Sequence, residues 1–511
     1  MSIPGFGGID TSQSDDSTLK TMTIPALYEW RIEVPMKKIL QLKVTSGILE
    51  INGTELANNV EIKLCGVKYA VYAPKVESQL EYCLLPHPDT AYSLSAEDEE
   101  FTEYISDETN MDQIVNLHMY IQSRRQIARD STSLGPGPRV LVIGNKQSGK
   151  TSLCKTLVSY AAKMGETPIL VNLDPAEGVF CLPGSISATA IPDSLDLESC
   201  GGYGISSTTT GNLTQQSPKV PLVKNYGFLH ARENEQLYRY VVDQLGICVL
   251  SKLESDEVVR SSGCIVDTPA LGMGEFDTIS AIVADFKIDL VVVVGSEKLK
   301  MALEKKLKHR AGLSFVKISK SAGVVDVSDE FIRMTQEQSI REYFNGNFRT
   351  RLSPFKTEIS LSGLVIYKAV LGRDVESSMS FLPAGDDFEK DEDTNAADEL
   401  KEYFAVLDDN DEKDEDGNGG GNGGSGGGSS ESRSKRLENS IVVITQLDQP
   451  GVGGGAAAEQ IEAKELLNTS VLGYVHVSKV DEEKKRMKVL LPFPGVFPRH
   501  VLISTSVRYN E

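Results

Sequence analysis

Gly144 to Ser152 read GNKQSGKTS, and the reading of this stretch decides the fold. The apolar run RVLVIG leads into it, and a helix-forming run from Lys150 to Met164, closed by Gly165, leads out of it. A G-x-x-x-x-G-K-[ST] spacing between a strand and a helix is that of a loop that wraps nucleotide phosphates. Chance matches to eight residues occur, but they rarely bring the strand and the helix with them. Gly144 and Gly149 permit backbone angles that a Cβ opposes and let phosphate oxygens come close. The N–H groups of Gln147, Ser148, Gly149, Lys150 and Thr151 are expected to converge at the helix N-terminus, where the dipole favours anions, with Ser152 completing the turn. Lys150 would neutralise the outer phosphates, and the Thr151 hydroxyl would be a Mg²⁺ ligand. Mg²⁺ chemistry also calls for a carboxylate at a neighbouring strand end. Asp174 in ILVNLDP and Asp267 in CIVDTP are the candidates, and each also reads as an ordinary turn or cap residue.

Outward from the loop, the texture is that of alternating strands and helices over residues 139–348, with the parallel sheet of a P-loop NTPase domain. The strands expected are RVLVIG, TPILVNLDP, SGCIVDTP and IDLVVVVGS. The helices expected are NEQLYRYVVDQLGICVLSKL and DEFIRMTQEQSIREYFNG. Before it, residues 1–22 read as loose. Residues 23–105 read as an all-β domain of short alternating runs with an Asn52-Gly53 hairpin turn. Residues 106–138 read as a connecting helix and linker. In that helix Ile114, His118 and Ile121 share one face, and His118 reads as a packed residue. After the nucleotide domain, 349–511 reads as a β-rich α+β domain. It is interrupted at 386–436 by an acidic, then Gly/Ser-rich insertion expected to be disordered.

The chain has 511 residues, 40% of them hydrophobic, which suits several cores. No apolar run reaches the ~18 residues of a membrane span, and the N-terminus lacks the pattern of a signal peptide. Seven scattered cysteines without a C-x-x-C argue for reduced thiols and against a zinc site. The net charge is −21, but residues 386–431 hold 17 acidic and 3 basic residues. The rest of the chain is therefore close to −7, and a basic groove on a mildly acidic body is compatible with it.

The order of motifs carries a resemblance. A β domain is followed by GNKQSGKTSLCKTL, VNLDPAEGVFCLPGSISAT, SGCIVDTP, SIREYFNG and a β-rich end closing on KVLLPFPG. The chain resembles the RNA 5′-hydroxyl polynucleotide kinase family, and within it the fungal ATP-binding, kinase-like subunits of the mRNA 3′-end cleavage and polyadenylation factor. The likeness spans the chain apart from its loose ends and the insertion. It implies ATP with Mg²⁺, a nuclear location, and a place in a multi-subunit 3′-end processing complex. The implied partner is the large scaffold subunit that reads the RNA polymerase II tail. It also implies nucleotide contacts from Glu29 and Lys68, which composition alone would call solvated strand-end charges, and an adenine pocket lined by Pro183 and Gly184.

Against the active members of that family, the chain departs at four places. Glu177 stands where a Gln follows the catalytic Asp, here Asp174. Phe228 to Asn234 (FLHAREN) replaces a Thr/Gly-rich clasp over the RNA end. PALG, with Leu271, replaces a Gly-Trp that stacks on a base. In the lid helix the arginines are Arg333 and Arg341, with Gln336 and Ser339 where more are expected. A missing arginine of that kind can cost ~10³-fold in rate, and a lost stacking partner about 1–3 kcal/mol per base. The expected function is therefore an ATP-binding, catalytically degenerate scaffold. The alternatives are an active RNA 5′-hydroxyl kinase, with Asp174 as base and Lys150, Arg333 and Arg341 as clamps, and a nucleotide-driven switch.

Overall fold

The computed structural model describes residues 18–88, 100–130, 135–203, 219–347, 349–362, 364–372, 403–407, 433–449, 461, 463–492, 494–495 and 497–510. The chain divides into two units, one through Thr109 and one from Asn110 onward.

The first unit is all β. Strands β1 (Lys20–Ile24), β3 (Lys38–Ser46), β6 (Glu61–Leu64) and β8 (Ser78–Pro86) form a four-stranded sheet in the order β1-β8-β3-β6. Strands β2 (Glu29–Val34), β4 (Glu50–Ile51), β5 (Thr54–Glu55), β7 (Val67–Tyr72) and β9 (Thr102–Ser106) form a second, ordered β5-β4-β7-β2-β9. Asn52 and Gly53 both have positive φ, as the hairpin between β4 and β5 requires. The two sheets meet where the fully buried Trp30 ring lies 5.0 Å from that of Tyr82. Glu103 ties the pair, accepting from Trp30 Nε1 at 2.9 Å and from the Tyr82 hydroxyl at 2.5 Å. β1 begins at Lys20, inside the stretch expected to be loose, because its register on β8 pairs Lys20 with Tyr82.

The second unit opens with α1 (Met111–Asp130). His118 is buried, 5.3 Å edge-on to Tyr160, and burial pulls its imidazole down to about 4, so it packs as a neutral ring. Beyond it, Glu166 gathers Gln122 Nε2 at 2.7 Å, Arg129 at 2.5 Å and Ser262 Oγ at 3.1 Å, so a buried carboxylate has three donors.

The central sheet holds β10 (Arg139–Gly144), β11 (Ile169–Asn172), β12 (Ser185–Ala190), β13 (Leu222–Asn225), β14 (Cys264–Asp267), β15 (Leu290–Val294) and β16 (Ser314–Ile318). Their order is β13-β12-β11-β14-β10-β15-β16. Five strands are parallel, as expected. To these the chain adds an edge: β12 runs antiparallel to β11, and β13 antiparallel to β12. The chain between β11 and β12 forms no helix and enters β12 through Gly184, whose φ is +90°. β10, β11, β14 and β15 are near-continuous runs of buried residues rich in Val, Ile and Leu, as strands covered on both faces must be, while in the edge strand β16 only Ile318 is buried. The helices of this region are α2 (Lys150–Lys163), α3 (Glu235–Ser255), α4 (Glu257–Ser262), α5 (Phe276–Asp285), α6 (Glu297–Leu307) and α7 (Asp329–Asn345).

The C-terminal sheet is ordered β17-β22-β21-β20-β23-β18-β19. Its strands are β17 (Phe355–Ser360), β18 (Ile366–Ala369), β19 (Phe404–Val406), β20 (Ser440–Asp448), β21 (Val471–Asp481), β22 (Arg486–Leu491) and β23 (His500–Arg508), with α8 (Arg433–Leu437) and α9 (Ala463–Asn468) alongside. One hydrophobic core runs from β10, β11 and β15 through Tyr343 and Phe344 to Ile441, Tyr474 and Ile503. Tyr474 donates to Ser185 Oγ at 2.8 Å, and the Tyr343 hydroxyl accepts from Tyr474 N at 3.0 Å. Residues 386–436 are not one disordered run: Phe404–Val406 pair with β18, and Arg433–Leu437 are helical. The apolar Phe404 and Leu407, both almost fully buried, are what single that piece out of an acidic stretch. Most of the remainder of the insertion lies outside the described residues.

Candidate nucleotide site

β10 lies mid-sheet between β14 and β15, so the loop after it opens at the carboxyl ends of the parallel strands, where such sheets bind ligands. Gln147 (φ +53°) and Gly149 (φ +88°) take left-handed conformations, which turn successive N–H groups toward one centre. A Cβ on Gly144 would lie 2.8 Å from Ser148 Oγ and 2.9 Å from Val294 O, so only glycine fits there. Among α2 to α7, the helix that follows is the one that lacks both a side-chain cap and an acid in its first turn; α5 lacks the cap but has Asp277. α3, α6 and α7 each start with a side-chain cap: Asn234 to Leu237 N, Ser296 to Leu299 N and Ser328 to Phe331 N. α2 has no side-chain cap and no acid in its first turn. Its leading N–H groups and its dipole are thus left for an exogenous anion, and a nucleotide phosphate fits.

Lys150 is buried and its Nζ donates to Asn145 O at 3.1 Å, arching over the loop. The Thr151 hydroxyl donates to the Glu177 carboxylate at 3.2 Å. Asp267, at the end of β14, is almost fully buried. Burial, and then the neighbouring charge of Glu177, push its carboxyl up to about 7. Asp174 is pushed to about 7 by the same two causes in the same order. Its Oδ1 accepts from Ala176 N at 3.0 Å, which holds it in the turn after β11. Among the described residues no three His, Cys, Asp or Glu side chains are arranged to hold a metal by themselves. A Mg²⁺ here would therefore take Thr151 and phosphate oxygens, with Asp174 and Asp267 reached directly or through water, which is how Mg²⁺ is usually held.

Sequence reasoning missed Lys155. It lies one turn beyond Thr151, and that i+4 spacing was the available signal. Its ammonium is buried 4.2 Å over the Tyr203 ring and donates to Gly201 O. Burial lowers its pKa, while Glu177 and Asp267 hold it up. Lys150 and Lys155 are thus the two cations that balance three carboxylates.

Two amides hold α7 and the residues leading into it against the site, one from the phosphate loop and one from α7 to the turn after β11. Gln147 Nε2 donates to Val327 O at 2.7 Å, and Gln336 Nε2 to Ala176 O at 3.0 Å, next to Glu177. Arg333 faces solvent, 3.9 Å from Glu330 and from Glu337 on its own helix. Arg341 is half-buried. Further along, Glu342 Oε2 accepts from Cys200 N at 2.6 Å. Burial first, and Asp196 after it, push this carboxyl up to about 7 from 4.5. The folded state therefore keeps a proton that the unfolded chain releases, so the stability due to Glu342 is complete below about pH 4.5 and lost as pH rises through 7. The residue is half-buried, which reduces the size of the effect. Glu342→Gln should be about 1–3 kcal/mol more stable than wild type at pH 8 and equal to it near pH 5, as read by urea unfolding at both values.

In the FLHAREN segment Phe228 is buried, and the residues after it are pinned by the Tyr226 hydroxyl, which accepts from Asn234 N at 3.0 Å. Arg232 in this segment pairs with Glu275 in the segment after β14. Leu271 is 4% exposed and belongs to the main core, so it offers no face to a base. Pro183 and Gly184 form a buried turn, with Gly184 N donating to Pro175 O at 2.8 Å. Their visible role is to brace the Asp174–Glu177 turn. In the first unit Glu29 is buried against Arg31 Nε at 3.0 Å and the Thr109 hydroxyl, and Lys68 pairs with Glu33 at 2.7 Å.

Residues 144–346 match the family described as mRNA cleavage and polyadenylation factor CLP1 P-loop. Residues 23–128 match the N-terminal beta-sandwich domain of polyadenylation factor, and residues 428–511 match pre-mRNA cleavage complex II protein Clp1. The mRNA cleavage and polyadenylation factor CLP1 of Lodderomyces elongisporus is 54% identical over the full length of both chains. The chain belongs to the Clp1 family. The Clp1 of Candida albicans is 50% identical, again over the whole of both chains. The solved wild-type Clp1p–Pcf11p (454–563) complex contains a chain that superposes with a TM-score of 0.76 at 29% identity, covering 97% of this chain and 99% of that one. A second structure, with a TM-score of 0.76 and 30% identity, covers 97% of this chain and 100% of that one. It is described as showing an extended interface between Pcf11p and Clp1p and the basis for ATP loss in a glycine-to-arginine point mutant. Clp1 membership makes the central domain a nucleotide-binding P-loop domain and the chain a member of a family of mRNA 3′-end processing factors.

Proposed function

We propose that this Clp1-family chain binds ATP with Mg²⁺ and serves as a catalytically degenerate, kinase-like scaffold in nuclear pre-mRNA 3′-end cleavage and polyadenylation, docked on a Pcf11-type partner. The proposed organisation keeps a β domain at 23–105, a helix and linker at 106–138, the ATP domain at 139–348 and a β-rich domain at 349–511. Glu29 and Lys68 are the proposed nucleotide contacts of the first unit.

One observation carries the reading: the phosphate side is complete, while the groups that would act on RNA are turned away or built over. α2 is uncapped and Lys150 is poised over the loop. Arg333 faces solvent and Leu271 is in the core. Bound Mg²⁺ would supply charge neutralisation between the phosphates. The chain's own part is to hold the phosphates with N–H groups and Lys150, to orient the ion with Thr151, and to keep the lid down through Gln147 and Gln336. Phosphoryl transfer needs more than this, because its barrier falls mainly through positioning and through cations aimed at the transferring group.

One observation favours the active-kinase reading: a carboxyl near 7, such as Asp174, suits a general base. Transfer of labelled phosphate from ATP to a 5′-hydroxyl RNA oligonucleotide separates the two. The scaffold reading expects a rate at least ~10³-fold below that of an active kinase. It also expects the purified chain to release intact ATP on denaturation. Robust transfer that vanishes in Lys150→Ala, or a bound pool dominated by ADP, would sink it.

A further inference from the structure

We infer that the outer face of α6, continued onto Lys320, is a binding surface for the phosphate backbone of single-stranded RNA. The inference rests on the proposed role in mRNA processing and adds a surface outside the eroded kinase centre.

Residues 297–320 hold eight Lys or Arg and two Glu, in a chain whose net charge is −21. The structure sorts these cations. Lys300 and Lys317 share Glu297, at 3.6 and 3.5 Å. Lys306 lies 4.1 Å over the Phe276 ring, and Arg310 turns inward to Ser280. Lys298, Lys305, Lys308 and Lys320 are exposed, and none makes an ion pair among the described residues. Glu304 is the one acid beside them, and it makes no ion pair there either. Leu299, Leu303 and Leu307 bury the opposite face of α6. Lys298 and Lys305, seven residues apart, therefore stand on one outward stripe, and Lys308 extends it, so the charges span about 15 Å of helix.

Lys320 joins this stripe to the nucleotide loop. Its Cβ lies 3.5 Å from where a Cβ on Gly295 would sit, at the end of β15, and the carbonyl of Val294 abuts Gly144.

Several surface cations elsewhere are paired. Lys252 pairs with Asp256, Lys484 with Asp481, and Arg486 and Lys488 with Glu358. A cluster of uncompensated lysines on one face keeps a local positive potential suited to a polyanion. Among the described residues of this face no Phe, Tyr or Trp is exposed to stack on a base, and His309 is its one exposed ring. Recognition is therefore by phosphate charge: tolerant of sequence and sensitive to salt.

The test is fluorescence anisotropy of an unstructured, labelled RNA 20-mer with the full-length protein at ~50 and ~200 mM salt. With three to four phosphates neutralised, log affinity should fall against log salt with a slope of about −2 to −3. The triple variant Lys298→Glu, Lys305→Glu, Lys308→Glu should bind at least about tenfold more weakly at the lower salt, with a slope flatter by about 2. Lys484→Glu, Arg486→Glu, Lys488→Glu makes the same change in net charge on another face and should leave affinity within about threefold. Folding of each variant is checked by melting temperature and retained nucleotide. Should the reversal fail to fold, replacing the same three lysines by Gln reads the slope instead. Equal losses in both triples, or no loss in the first, would overturn the inference. So would binding of a poly-glutamate peptide through these lysines without binding of RNA. Wild type that holds its nucleotide and partner but no RNA sinks this inference alone. Wild type that holds neither nucleotide nor partner sinks the proposed function.

Discussion

Lys150→Ala should leave purification without nucleotide and melt at the temperature of wild type stripped of its ligand. The Lys150 ammonium reaches back to Asn145 O across the loop, whereas Lys146 of the same loop pairs with Asp329, so Lys150 is the loop's charge held over the phosphate site. Its removal should weaken ATP binding by about 10²-fold or more, since a charge-assisted contact in a buried site is worth a few kcal/mol. A ligand that binds only the folded state stabilises it by about 4 kcal/mol at a thousand times its Kd, so stripping wild type should lower Tm by roughly 5 °C or more. Adding ATP with Mg²⁺ should restore the stripped wild type and leave the variant unmoved. The variant's own fold should survive. Lys150 is one of the groups that lower the pKa values of Asp174 and Asp267, and without it those carboxyls simply hold their protons more firmly. A variant that kept nucleotide at wild-type stoichiometry would remove Lys150 from the site.

That result bears on what could be read before any coordinates. The phosphate loop was legible because its chemistry is local: two glycines, a lysine and a threonine at fixed spacing, between a buried strand and a helix. The same holds for Asn52-Gly53 and for helix α7, which Ser328 caps and Gly346 closes. Three features were not legible, and each depends on residues far apart in sequence. The antiparallel return of β12 needs the pairing of Ile169 with Ala190, which no periodicity announces. The amide latch needs Gln336 to meet Ala176, 160 positions earlier. The partnership of Lys155 with Tyr203 needs the loop at 200–202 to fold over α2. The departures from active kinases were visible as residue identities. Their meaning was not, because an arginine on a lid helix can face either the site or, as Arg333 does, the solvent.

Phe344→Ala should cost about 3–5 kcal/mol and melt the central and C-terminal sheets in one step. Phe344 is fully buried, its ring 5.0 Å edge-on to Tyr343 and 6.4 Å from His476 of β21. It sits at the end of the lid helix, in the stretch of core that joins β10, β11 and β15 to β20, β21 and β23. Deleting the ring removes contacts from both sheets at once, and the cavity does not close easily between two rigid layers. The cost then falls on a shared core, so a tyrosine fluorescence transition and a nucleotide-release transition should shift together in urea. Two separated transitions, with nucleotide lost first, would mean that the ATP domain unfolds on its own. The same substitution also tests the latch. If α7 is held down mainly by Gln147 and Gln336, nucleotide release below the transition stays slow in Phe344→Ala. If the aromatic anchor at its far end holds it, release accelerates before either sheet unfolds.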